Sequence, residues 1–93
     1  MKIPIVNRKE YTQYIEFFDN VYWLHTDVHE WSAEIKKKYI LELDKLQSLL
    51  NAPMYGLVDN DKLGKFGETI GFNYLRSVIG NDGNTYKIYI RSI

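Results

Sequence analysis

Apolar and polar positions change period several times along this chain, and each change predicts an element. Ile-Pro-Ile-Val at 3–6 reads as a short extended segment, which Pro4 confines to an edge or a first strand. Asn7 followed by Glu10 fits a helix start, the amide accepting an orphan N–H while Glu10 reaches back. Tyr11, Tyr14, Ile15 and Phe18 recur at helical spacing, so the pattern predicts a helix near 8–18, stopped by Asp19-Asn20. Residues 21–26, Val-Tyr-Trp-Leu-His-Thr, are aromatic and β-branched and predict a strand. From Val28 or Ser32 to Leu50 runs the longest helix. Its apolar stripe is Trp31, Ile35, Tyr39, Leu43, Leu46 and Leu50, and Lys36-Lys37-Lys38, Glu42 and Lys45 turn to water. Asp27 can cap it, Asn51 suits its C-cap, and Pro53 cannot continue it.

Met54 to Val58 is a short apolar run and predicts a buried strand. Asp59-Asn60-Asp61 opens a second short helix with Leu63, Phe66 and Ile70 on one face. Gly71 ends it in a left-handed conformation and Phe72 folds back onto it. Tyr74 to Ile79 is a strand, and 80–84, Gly-Asn-Asp-Gly-Asn, is a hairpin turn of residues that tolerate positive φ. Thr85 to Ile93 closes the chain as a strand with Tyr86, Ile88 and Ile90 alternating against Lys87, Tyr89 and Arg91. The predicted order is β-α-β-α-β-α-β-β, an α/β protein with a mixed sheet flanked by helices, in one domain over 1–93.

Composition narrows the function classes. Twelve basic residues balance twelve acidic ones, where a nucleic-acid binder carries a basic excess, so no nucleic-acid partner is expected. The chain has no cysteine, which removes disulfides, thiolate zinc sites and cysteine nucleophiles. No apolar run approaches the ~20 residues of a membrane span, and the first residues lack the apolar core of a signal peptide, so a cytoplasmic location is expected. A chain this short buries only about 60–65% of the surface its unfolded form exposes, so association can supply missing burial.

Residues 54–93 carry a resemblance. A short strand ends near Asn60, a helix finishes Phe66-Gly67-Glu68-Thr69-Ile70-Gly71-Phe72, and a hairpin with an Asn-Asp-Gly turn follows. This resembles the end of the GNAT superfamily of N-acetyltransferases, and the strand 21–26 and the long helix resemble that family's acetyl-CoA-binding strand and helix. Asn60, Phe66, Gly71 and Phe72 are the positions on which this fold reading rests. The resemblance implies a glycine-rich turn before the long helix, whose N–H groups hold the cofactor pyrophosphate. The chain instead has His25-Thr26-Asp27-Val28-His29-Glu30-Trp31-Ser32, without glycine and with two carboxylates. The family's acidic tyrosine falls at Gly67, and its usual second and third strands find no room between residues 20 and 21. The pattern is also similar to short acetyltransferase-like internal virion proteins of podovirus-type bacteriophages. What the resemblance implies is a reduced acetyltransferase-like fold without catalytic or cofactor-binding residues. The chain is then a phage-encoded interaction protein in a virion or host cytoplasm, with a protein partner or second copy. A small active N-acetyltransferase using acetyl-CoA is the alternative.

Other candidates have plainer readings. His25 and His29 with Asp27 and Glu30 suit zinc or iron by ligand type, but cap and surface roles fit them better and no metal is assigned. Lys36-Lys37-Lys38 is a solvated helix face, neutralised by Glu34 and Glu42. Gly64 and Gly67 each cost a helix ~1 kcal/mol against alanine, which close packing on the sheet explains better than ligand approach. Tyr22, Trp23, Tyr55, Tyr74, Tyr86 and Tyr89 are candidate interaction residues, and an ordinary half-buried sheet fits them equally.

Overall fold

The computed structural model describes residues 1–93 as one mixed sheet with two helices. The elements are β1 (Ile3–Asn7), β2 (Tyr11–Phe18), β3 (Val21–Val28), α1 (Ala33–Leu50), β4 (Met54–Val58), α2 (Asp61–Thr69), β5 (Asn73–Ile79) and β6 (Thr85–Arg91). The six strands lie in the order β1-β2-β3-β4-β6-β5. Only β3 and β4 run parallel; every other pair is antiparallel. The α/β class and mixed sheet agree with the sequence reading.

The predicted first helix is a strand. Residues 11–18 pair along their whole length with β3, through a turn in which Asp19 and Asn20 both take positive φ, 56° and 63°. Tyr11, Gln13 and Ile15 alternate inward and are buried. The polar Gln13 hides this period of two, and Tyr11 and Ile15, four apart, fit both periods. Asn7 caps no helix: its Oδ1 accepts from Thr12 Oγ1 across the β1–β2 ladder at 3.0 Å. The region before β3, which the resemblance left without room for strands, is therefore filled by the β1–β2 meander. Pro4 does sit on an edge strand, at a break in its register.

The later elements follow the predicted pattern. Ser32 caps α1, its hydroxyl accepting from Ile35 N–H at 3.2 Å, while Asp27 stays at the end of β3. Asn51 ends α1 in the left-handed region at φ 50°. Asn60 caps α2 by accepting from Leu63 N–H at 2.8 Å. At its far end Phe72 N–H reaches Gly67 C=O and Gly71 N–H reaches Glu68 C=O, with Gly71 at φ 99°. Those two bonds form a Schellman motif, whose reversed turn needs a residue without Cβ.

Both helices cover one face of the sheet. Residues opposed in a ladder point the same way, so Tyr11, Gln13, Ile15, Leu24, Met54, Val58 and Tyr89 share that face. They cluster with Tyr39, Leu43 and Leu46 of α1 and with Ile70 and Phe72. Rings stack edge to face through the core, Tyr11 on Tyr39 at 4.9 Å and Tyr39 on Phe66 at 5.8 Å. Polar ties reinforce the seam. The Tyr11 hydroxyl donates to Glu42, which Arg8 also grips, and Arg91 donates to Gln47 and Asp44 of α1 and to Ile70 C=O. The opposite face, with Tyr14, Glu16, Trp23, His25, Asp27, Tyr55, Leu57, Arg76, Ile88 and Ile90, carries no helix.

Candidate functional site

The sheet splits where β3 leaves β4. These strands pair only at Tyr22–Met54 and Trp23–Tyr55, and beyond that point they diverge. A slot of about 180 Å³ opens between them. Leu24, Thr26, Gly56 and Val58 form its walls, while Leu63, Phe66, Gly67 and Ile70 of α2, with Phe72 and Tyr89, close its helix side. Lys2, Tyr14, His25, Asp27 and Leu57 line its mouth on the open face. The interior is apolar and the mouth polar, an arrangement suited to a thin apolar group with a polar end. Beside it, Thr26, Leu63 and Phe66 also border a wider groove running to Val28, His29, Glu30, Trp31, Asn60 and Lys62.

Glycine spacing on α2 lets the helix sit close beneath the slot. A Cβ at Gly64 would lie 2.8 Å from the Tyr89 hydroxyl, and one at Gly67 would lie 3.6 Å from Phe72 Cβ. Gly64 therefore serves close packing, while a side chain at Gly67 would make only ordinary contact. Gly67 faces Phe72 and Tyr89 and offers no proton to the slot. Gly56 in mid-strand lies against the Phe72 ring, which a Cβ there would meet at an ordinary contact distance of 3.7 Å.

The turn entering α1 is already bonded. His29 N–H and Glu30 N–H both donate to Glu10 C=O, at 2.8 and 3.1 Å. The Ser32 hydroxyl accepts from Ile35 N–H. Asp27, Glu30 and Glu34 stand exposed around this turn. An anion here would meet carboxylates and spent donors, so the turn does not fit a cofactor pyrophosphate.

At the mouth, two polar pairs cross between β2 and β3. Glu16 Oε1 lies 2.9 Å from His25 Nε2, and the Tyr14 hydroxyl donates to Asp27 Oδ2 at 2.7 Å. The His25 contact, with the terminal amine, holds the Glu16 carboxyl below its ordinary range, and the Asp27 contact raises the Tyr14 hydroxyl. His29 stands in the turn away from His25, and no group of three or more His, Asp or Glu side chains gathers in the chain.

The tyrosines named from sequence scatter over both faces. Trp23 and Tyr55 meet on the open face with ring centroids 5.7 Å apart, half-buried, and Tyr86 lies on the same face. Tyr22 points to the helix side and stacks on exposed Phe17 at 5.0 Å. Tyr74 is 53% exposed on edge strand β5, stacked on Tyr89. Tyr89 is only 7% exposed, so its role is packing under α2. Asn60 and Gly71 shape the ends of α2, Phe66 lines the slot, and Phe72 seals it. Sequence reasoning did not foresee the slot itself; mid-strand Gly56 was its one local signal.

Comparison with known proteins bears on the fold alone. No protein-family model and no curated protein sequence matches the chain. One solved structure, a Bordetella pertussis protein provisionally assigned to the GnaT family of acetyltransferases, superposes over 96% of this chain with a TM-score of 0.67 at 16% identity. The chain spans 61% of that protein's length. The fold is accordingly an acetyltransferase-like one, in reduced form. No helix of the chain is long and apolar enough to cross a membrane.

Proposed function

We propose that this chain is a non-catalytic interaction protein built on an acetyltransferase-like fold. The observation that carries the reading is the turn before α1. Its His29 and Glu30 N–H groups are bound to Glu10 C=O, and Asp27, Glu30 and Glu34 surround it. A phosphate chain there would have to displace a backbone carbonyl and sit among carboxylates, against the field that favours anions at a helix start. Gly67 in place of an acidic side chain agrees with this reading. A phage-encoded setting, in a virion or on a host protein, belongs to the proposal and rests on the likeness of sequence pattern.

One observation favours a second reading. The slot between β3 and β4 is apolar and narrow, and it suits the thin arm of an acyl carrier, as a small N-acetyltransferase using acetyl-CoA would need. Titration calorimetry with acetyl-CoA separates the two. The first reading expects no binding tighter than about 100 μM, roughly −5.5 kcal/mol. A tighter constant overturns it and favours the second.

A further inference from the structure

We infer that the helix-free face of the sheet is an interface with a second copy of this chain, packed face to face about a two-fold axis parallel to β4. The inference rests on the interaction reading above and names its partner.

The argument starts from rows of side chains. Register places Glu16, Trp23, Tyr55, Ile90 and Asn73 in one row across β2, β3, β4, β6 and β5. At the next level the slot interrupts the row, with Tyr14 and His25 on one side of it and Leu57, Ile88 and Arg76 on the other. The middle of this face is apolar and aromatic, with Leu57 still 47% exposed, and its margins are charged. Such a centre and rim are what a protein interface has.

Charge then selects the occupant. On the β2–β3 side the face carries Glu16, which also faces His25 and the terminal amine, and Asp27, with Lys2 beyond them just ahead of edge strand β1. On the β5 side it carries Arg76, which makes no ion pair within the chain. In the strand order, β2 and β5 lie equally far from β4, two strands on either side. A two-fold axis along β4 exchanges those sides. It sets Arg76 of each copy over Tyr14 of the other, between Glu16 and Asp27, and Trp23 of each over Ile90 of the other, while Tyr55 and Leu57 meet their counterparts at the axis. The face is thus self-complementary in charge as well as apolarity, as an isologous contact requires. Two sheets packed this way form a sandwich with the helices outside.

Sedimentation equilibrium over a range of concentrations, at low and high salt, is the test. The expected result is a dimer that weakens as salt rises, since rim charges are screened. Arg76→Glu should raise the dimer dissociation constant roughly 30-fold or more, because like charges then oppose. The paired variant Glu16→Lys/Asp27→Lys should dimerise as poorly. Mixing the two variants should restore association, since each then meets its complement on both sides. Circular dichroism spectra of the separate variants that match the wild type, with cooperative melts, exclude unfolding as the cause. A wild-type chain that stays monomeric, a dimer indifferent to Arg76→Glu, or variants that do not recover on mixing would each overturn the inference. Any of these without acetyl-CoA binding leaves the non-catalytic reading standing, whereas acetyl-CoA binding overturns that reading whatever the oligomeric state.

Discussion

Replacing Gly71 with valine should be among the most damaging single changes in this chain, for two separable reasons. Gly71 has φ 99°, where a β-branched residue costs about 1–2 kcal/mol in strain. Its new Cβ would also fall 2.9 Å from Arg91 Nε. That nitrogen donates to Ile70 C=O at 2.9 Å, and the same guanidinium donates to Gln47 and Asp44, tying β6 to α1. Displacing the guanidinium should cost a further ~1–2 kcal/mol, the Asp44 contact counting for little because that carboxylate is half exposed. The total is about 3 kcal/mol, out of about 5–14 for a domain of this length. Gly83 is the control. It has φ 82° but nothing within 4 Å of its Cβ, so Gly83→Ala should cost only ~1 kcal/mol. Urea melts of both variants give the comparison. In an Arg91→Met background, the Gly71→Val penalty should shrink by about 1 kcal/mol, because the guanidinium is already gone. Equal midpoints for Gly71→Val and Gly83→Ala would refute the reasoning, and an undiminished penalty in the Arg91→Met background would refute its second half.

Other expectations follow from buried polar atoms and the helix glycines. The Tyr39 hydroxyl is buried without a hydrogen-bond partner, so Tyr39→Phe should raise stability by up to ~1 kcal/mol in a thermal melt, and a clear loss would mean that the hydroxyl is bonded. Burial raises that hydroxyl from 10.0 to about 12. The folded state thus favours the neutral phenol, whose stabilisation is complete below pH 10 and is lost as pH rises through 10 to 12. Alkaline melts should show this fall in the wild type and a smaller one in Tyr39→Phe. Gly64→Ala should destabilise despite better helix propensity, since its Cβ meets the Tyr89 hydroxyl at 2.8 Å. The loss should be smaller in a Tyr89→Phe background, and a stabilising Gly64→Ala would show that α2 rides higher on the sheet.

What the sequence disclosed was local. The α1 stripe from Ile35 to Leu50, Asn51 as its C-cap, the opening of α2 at 59–61 and the Gly71-Phe72 helix end each follow from residue types within one or two turns, and the structure has them. Trp31, read as the first residue of the stripe, instead lies ahead of the helix and is 40% exposed. Residues 11–18 misled because Gln13 occupies an inward position. It is buried and donates to Tyr39 C=O at 3.2 Å, a partner 26 residues away that no local pattern can reveal. The slot was hidden for the same reason. It exists because β3 and β4 pair at two positions and then part, a relation between segments joined through the whole of α1. Even the closed turn depends on Glu10 C=O, a backbone group on the far side of the β2–β3 hairpin.

The most direct test of the central claim reads the turn and the slot residue by residue. Amide chemical shifts of the labelled chain would be followed by NMR while acetyl-CoA is added to millimolar concentration. The account predicts that His29 and Glu30, bonded to Glu10 C=O, do not move, and that Leu24–Asp27 and Gly56–Val58 along the slot stay with them. Saturating shifts at those amides, with His29 and Glu30 released to a phosphate, would contradict it.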